Sequence, residues 1–269
     1  MRLVVLQPPY PVEGMEAAAS GCQEWMIEAL RKVEGDVDLV VLPEYATVPG
    51  LGEREQILRH SQGQGERFLS NVAGWAGDRG SWAAVGTVAE EGKRLLNRVV
   101  LIDREGEAAY TYDKVHLTEA ESDGLGMSAG SRVETTMVGD VRVGVATCFD
   151  FYFPEYFAAL SKLSPDLILG PSYQRSESPE RLMCMSQTRA IDSGAWFVRS
   201  SYAIAGGRTG GCSLIAAPDG QVVVNAGGEP RMIEAEIDPK AKFVKPRSHG
   251  MPDIDHRALI ASRRRPDVY

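Results

Sequence analysis

Twice along this chain a short run of branched apolar residues gives way to a longer amphipathic stretch, and the pair then repeats. The first half reads RLVVLQ, the helical GMEAAASGCQEWMIEALRKV, DLVVLPE and a second helical stretch from about Glu53 to Asp78. The second half reads VRVGVATC, a helix opening near Pro154, DLILGPS and a helix from roughly Ser178 to Ser193. Short Val/Ile/Leu-rich runs separated by helices suit βα units that share a sheet. Further strand-like segments follow in each half, with turn residues between them: WAAVGTVAE, RLLNRVVLID and AAYTYDK in the first, WFVRSSYAI, CSLIAAP, QVVVNAG and RMIEAEID in the second. The order predicts two similar α/β halves packed as one sandwich, with sheets that are not purely parallel. At 269 residues the chain is long enough to bury a large core in one domain.

In open α/β sheets, functional groups collect just beyond the carboxyl ends of strands. Three ionisable residues have that placement: Glu44 after DLVVLP, Lys114 after AAYTYD and Cys148 after VRVGVAT. A thiol is mostly protonated at neutral pH and needs a base or a cation to become a nucleophile. A glutamate can take the proton, and a lysine can stabilise the thiolate and then an oxyanion. Singly, each residue has a plainer reading: Glu44 as a cap, Lys114 as a surface cation, Cys148 as a small buried hydrophobe. Jointly they supply each role of a covalent hydrolase once, provided that they meet in space.

Composition narrows the alternatives. With 29 basic and 37 acidic residues the formal charge is -8, which argues against general affinity for nucleic acid or anionic membranes. The opening MRLVVLQPPYP has too short an apolar run for a signal-peptide core or a bilayer span, so the expectation is a cytoplasmic protein with no membrane partner. Cys22, Cys148, Cys184 and Cys212 form no CxxC pair or regular framework, which suits reduced thiols. The four histidines are scattered and predict no metal site.

The segments VVLPE (residues 40–44), YDKVHLTEAE (112–121) and TCFDFYFPE (147–155) resemble the three signatures of the nitrilase superfamily of carbon-nitrogen hydrolases. The resemblance continues through LILGPS, TRAIDSGAWFV, GGCSLIAAPDG and the terminal RRRPDVY, so it spans almost the whole chain. It implies a four-layer α-β-β-α sandwich, with residues 1–269 as a single domain and a tail from about residue 240 at the interface of a homodimer or higher homo-oligomer. It also implies Glu44 as general base, Cys148 as nucleophile and Lys114 as electrostatic stabiliser, with no cofactor. The KxHxTxxE pattern places a second glutamate at Glu121, holding Lys114 and orienting the substrate. The Phe149 backbone amide joins Lys114 in the oxyanion hole by the same resemblance. His116 fits as a structural histidine bonded to backbone, and Asp150 and Glu155 as supports of the turn and helix start.

Many relatives have arginine four residues after the nucleophile, where this chain has Tyr152. Phe149 and Asp150 after the cysteine look more like the amidase and carbamoylase branches than the nitrile-cleaving ones. The expected substrate is therefore a small linear amide or N-carbamoyl compound, with nitrile hydrolysis, acyl transfer and a non-catalytic scaffold as the alternatives. Tyr45 and Tyr173 are candidates to line the cleft, and loops 46–62, 118–132 and 173–180 would set specificity. Gln174 reads as a surface amide, and Cys184 and Cys212 as packing residues. The GxSxG match GMSAG at 126–130 reads as a glycine-rich loop, because no strand precedes Ser128 and no helix follows it.

Overall fold

The computed structural model describes residues 1–206, 208–265 and 267–268, so Pro266 and Tyr269 of the RRRPDVY resemblance lie outside the described residues. Two six-stranded sheets form its centre. The first contains β1 (Arg2–Gln7), β2 (Leu39–Val41), β3 (Trp82–Glu91), β4 (Arg94–Ile102), β5 (Ala108–Asp113) and β12 (Arg231–Glu236), in the order β12-β1-β2-β3-β4-β5. The second contains β6 (Thr135–Val138), β7 (Val141–Val145), β8 (Leu167–Pro171), β9 (Trp196–Ser200), β10 (Leu214–Ala216) and β11 (Val222–Asn225), in the order β11-β10-β9-β8-β7-β6.

The two halves share one plan. Strands β1, β2 and β3 are parallel, joined by α1 (Glu16–Arg31) and then by α2 (Arg54–His60) and α3 (Glu66–Arg79) with one π turn between them. Strands β7, β8 and β9 are parallel likewise, joined by α4 (Pro154–Lys162) and α5 (Pro179–Ser193). An antiparallel meander completes each sheet, β3-β4-β5 in one and β9-β10-β11 in the other. The expected order of elements is observed with one correction: RMIEAEID does not extend the second sheet. As β12 it crosses over and pairs antiparallel with β1, from Arg2 opposite Glu236 to Gln7 opposite Arg231.

The layers follow from the period of two in a strand. Leu3, Val5, Leu39 and Val41 pack in one cluster with Val143, Val145 and Leu169 of the opposite sheet. Their neighbours Val4, Leu6, Val40 and Leu42 pack instead with Met26 and Leu30 of α1 and Phe68 and Val72 of α3. Full burial of each such side chain stabilises the fold by roughly 1.5–3 kcal/mol. Both faces of the first sheet are therefore covered, which is why its strands are apolar throughout rather than alternating.

Past their ends, the chains leaving β1 and β9 run side by side, with Tyr10 N–H donating to Ala203 O at 2.9 Å and Ala203 N–H to Pro8 O at 2.9 Å. This pairing brings the carboxyl edges of both sheets to one end of the sandwich. The tail folds back as a hairpin of β13 (Val244–Lys245) and β14 (Ile254–Asp255) followed by α6 (His256–Ser262), where Arg257 Nε donates to Gly194 O at 2.7 Å. No residue of α6 is buried, as expected of a segment outside the core.

Gly86 on β3 allows the chain after β2 to cross close over the sheet. A β-carbon there would lie 2.4 Å from Pro43 O and 2.5 Å from Glu44 Cα. Gly86→Ala should cost about 1–3 kcal/mol by overpacking, read as a lower urea midpoint at unchanged slope; an unchanged midpoint would show that residues 43–45 have slack.

Candidate active site

The three residues expected to meet do meet. Glu44, Lys114 and Cys148 line one cleft of about 650 Å³ at the carboxyl edge of the two sheets, together with Glu121, Tyr45, Phe149 and Tyr173. Its walls come from the segments around residues 50–57, 118–125 and 173–177, within the three loops expected to set specificity.

Lys114 follows β5 directly, and its ammonium is buried at 2% exposure between two carboxylates. Nζ donates to Glu44 Oε1 at 2.8 Å, to Glu121 Oε1 at 2.9 Å and to Glu121 Oε2 at 2.8 Å. Asn97 Nδ2 also bridges both carboxylates, at 2.7 Å from Glu44 Oε1 and 2.6 Å from Glu121 Oε1. Glu121 is saturated with donors: Tyr45 OH reaches its Oε1 at 2.6 Å, and the Thr118 N–H and Oγ1 reach its Oε2 at 2.8 and 3.0 Å. By contrast Glu44, fully buried, uses only Oε1; its Oε2 has no partner among the described residues.

That difference separates the two carboxyls electrostatically. Burial raises the Glu44 pKa, and Lys114 and Asn97 offset this only in part. Burial also works against the charge on Glu121, but Lys114, Tyr45 and Thr118 together hold it below the ordinary carboxyl range. The surroundings thus push the two carboxyls in opposite directions, Glu121 toward its charged form and Glu44 toward its neutral one. Burial alone would lower the Lys114 pKa, but Glu44, Cys148 and Glu121 raise it, so the ammonium keeps its charge.

Cys148 opens a 3₁₀ turn, Cys148–Tyr152, between β7 and α4, and takes the left-handed conformation with φ of 51°. Left-handed backbone costs a non-glycine residue about 1–2 kcal/mol and persists only where surrounding contacts impose it. Burial, and then Glu44, push the thiol well above its ordinary pKa, with Lys114 opposing. These surroundings favour the thiol over the thiolate.

Asp150 supplies the imposing contacts. Fully buried, it accepts from Thr147 N–H at 2.8 Å and Tyr112 OH at 2.6 Å through Oδ2, and from His116 N–H at 2.9 Å through Oδ1. It therefore ties the Cys148 turn to both flanks of Lys114. His116 Nδ1 lies 2.8 Å from the same Oδ1, and its ring stacks on Phe153 at 3.7 Å. The expectation of a structural histidine stands, but its partner is a carboxylate rather than backbone. Pro154 and Glu155 open α4 as expected, with Pro154 at the first helical position.

Other placements differ from expectation. Gln174 is no surface amide: it is 5% exposed, lines the cleft, and accepts from Ser172 Oγ at 3.0 Å. The Cys184 thiol is exposed on α5 rather than packed, whereas Cys212 is buried. The hydroxyl of Tyr45 is spent on Glu121, and that of Tyr173 on Tyr10, so both shape the cleft more than they offer free polar atoms to it. The GMSAG segment is irregular chain whose Gly130 N–H donates to Lys114 O at 2.8 Å, with no room for a β-carbon beside Asp113 O. It buttresses the lysine and has no strand-turn-helix geometry around Ser128. Asn97 and Tyr202, whose hydroxyl holds Glu44 O at 2.8 Å, were not foreseen. An asparagine inside the apolar RLLNRVV run was the available signal for the first.

Removing a carboxylate from this network should be costly. Glu121→Gln should destabilise the fold by roughly 3–5 kcal/mol at neutral pH, measured by urea unfolding. Because the Glu121 pKa is lowered on folding, its contribution is present above the unfolded value and lost as pH falls through the folded one. The gap between variant and wild type should therefore narrow on acidification; a gap constant with pH would refute the ion-pair account.

Comparison with known proteins agrees with this geometry. The human deaminated glutathione amidase is 26% identical over 242 residues, covering 80% of this chain and 68% of that protein. The omega-amidase NIT2 of Danio rerio is 25% identical over 244 residues, covering 86% of this chain and 84% of that protein. A structure of an amidase from Nesterenkonia sp. AN1, with the acetamide moiety of fluoroacetamide added covalently at its active-site cysteine, superposes with a TM-score of 0.72 at 19% identity, covering 100% of this chain and 95% of that one. The fold is thus the α-β-β-α sandwich of the nitrilase superfamily. Residues 5–243 match the family described as carbon-nitrogen hydrolase, and the chain belongs to that family.

Proposed function

We propose that this enzyme cleaves the C–N bond of a small linear amide or N-carbamoyl compound through a thioester on Cys148, with Glu44 as the proton carrier and Lys114 as the electrostatic stabiliser. The observation that carries the reading is Glu44 Oε2, a buried carboxylate oxygen with no partner among the described residues, on a side chain of the cleft that Cys148 and Lys114 also line. An oxygen so placed is free to take and return a proton. The amidases among the relatives, and the covalent adduct at the Nesterenkonia cysteine, support the same chemistry.

In the first step Sγ forms a bond to the carbonyl carbon while Glu44 Oε2 takes the thiol proton. Negative charge then develops on the carbonyl oxygen, where the Lys114 ammonium and the Phe149 backbone N–H stabilise it. As the intermediate collapses, the C–N bond breaks and Glu44 returns its proton to the leaving nitrogen. Water then attacks the thioester, giving a proton to Glu44, and collapse of the second intermediate regenerates the thiol. Glu121 takes no proton: its role is to fix Lys114 and Asn97 at constant charge. The amide reading extends to a domain spanning residues 1–269 whose tail contributes to self-association.

Cys148→Ala should keep the fold and lower turnover on the order of 10⁴–10⁶-fold. Intact-mass analysis after exposure to a panel of amides should show an acyl adduct on the wild type and none on this variant; an adduct that survives the substitution would remove Cys148 from its role. Glu44→Gln should slow both acylation and deacylation by about 10²–10⁴-fold.

The pH profile carries the sign of the Glu44 shift. Turnover needs the ionised carboxylate, and burial raises its pKa above the ordinary 4.5. Activity should therefore fall with acidification at a pH above 4.5. An acid limb at or below that value would mean that Glu44 is not the titrating base.

A further inference from the structure

The outer wall of the cleft presents polar atoms that the proposed triad does not use. Glu177 Oε1 accepts from Tyr152 OH at 2.6 Å, while its Oε2 is buried with no partner among the described residues. Gln174 is in the same state: Ser172 Oγ and Arg199 Nη2 hold its Oε1 at 3.0 and 3.4 Å, and its Nε2 is buried and unpartnered. Both side chains belong to the cleft lining. Buried polar atoms left without partners are costly, so a wall carrying one anionic acceptor and one neutral donor is built to receive a ligand's complementary groups.

The balance of charge decides the sign of that ligand. Five carboxylates line the cleft, Glu13, Glu44, Glu53, Glu121 and Glu177, against two cations, Lys114 and Arg175. Lys114 is committed to Glu44 and Glu121. Arg175 is committed to Glu13, donates to Tyr10 OH at 3.1 Å, and lies over the Tyr173 ring at 4.9 Å. A substrate carboxylate would have to compete with Glu44, Glu121 and Glu13 for these two cations, and near the single Gln174 donor it would face the charges of Glu177 and Glu53. A cation meets the opposite situation: a carboxylate oxygen with no partner among the described residues, in a cleft that Phe149, Tyr152 and Tyr173 also line with rings whose faces attract positive charge.

We propose that Glu177, oriented by Tyr152, is a specificity-determining residue that selects amides whose acyl chain carries an ammonium or guanidinium group. The proposal rests on the C–N hydrolase reading above and names the substrate class for the same cleft. Tyr152 thereby gains a role at the position where many relatives have arginine: the phenol holds the carboxylate without neutralising it.

Three amides of matched length test the idea: γ-aminobutyramide, which is cationic, valeramide, which is its neutral near-isostere, and succinamate, which is anionic. Wild-type kcat/KM should favour γ-aminobutyramide over valeramide by about 10- to 100-fold, as expected for a hydrogen bond to a charged group. Succinamate should be the poorest of the three. Glu177→Gln should bring the cation-to-neutral ratio close to one. Preference for valeramide or succinamate, or a ratio that survives Glu177→Gln, would overturn the proposal. If none of the amides turns over, the hydrolytic reading fails separately, and calorimetric binding of the same compounds to Cys148→Ala decides the present one. Tighter binding of γ-aminobutyramide that disappears when Glu177→Gln is added supports it; equal binding of all three overturns it.

Discussion

A single buried ammonium shared by two carboxylates organises the catalytic end of this molecule. Lys114 is nearly inaccessible to water, and a lone charge in that position would be driven to neutrality. Glu44 and Glu121 keep it charged, but one cation cannot fully satisfy two anions. The shortfall falls on Glu44, because Glu121 gathers additional donors from Tyr45 and Thr118. The network therefore supports the charge on Glu121 more fully than that on Glu44. Under the function proposed above, such separation of two like groups by their surroundings gives one site both a clamp and a base.

Placing those groups depends on contacts outside the triad. Glu44 lies where the chain crosses over Gly86, with its carbonyl fixed by Tyr202. Lys114 is buttressed by Gly130, and the Cys148 turn is held to both flanks of the lysine by Asp150. The strained backbone at Cys148 is thus maintained by a buried carboxylate two residues further on, with four donors around it. This connection couples the two sheets: Thr147 follows β7 of one, whereas Tyr112 lies on β5 of the other. Catalytic geometry and the packing of sheet against sheet are consequently one problem in this fold.

The outer cleft follows different rules. Near the thiol, Lys114 is paired with both Glu44 and Glu121, and one Glu44 oxygen keeps no partner among the described residues. Further out, Glu177 and Gln174 keep unused hydrogen-bonding capacity, and aromatic rings replace buried ion pairs as the lining. A division of this kind lets the reacting centre stay fixed while substrate choice is set by side chains that carry no part of the proton transfer.

The sequence by itself determined the repeated βα order and the three strand-end residues, because period, turn chemistry and motif spacing are local properties. Glu121 was legible only through its spacing from Lys114 in the family pattern. Only the tertiary structure decided that β12 crosses to the first sheet, that Asn97 bridges two carboxylates, that Asp150 rather than backbone holds His116, and that Gln174 is buried in the cleft. Those outcomes depend on contacts between residues far apart in the chain, as between Asn97 and Glu44 or Asp150 and Tyr112. Local preference does not encode such partners: a polar side chain advertises its capacity to bond, and the packing of the two sheets selects what it bonds to.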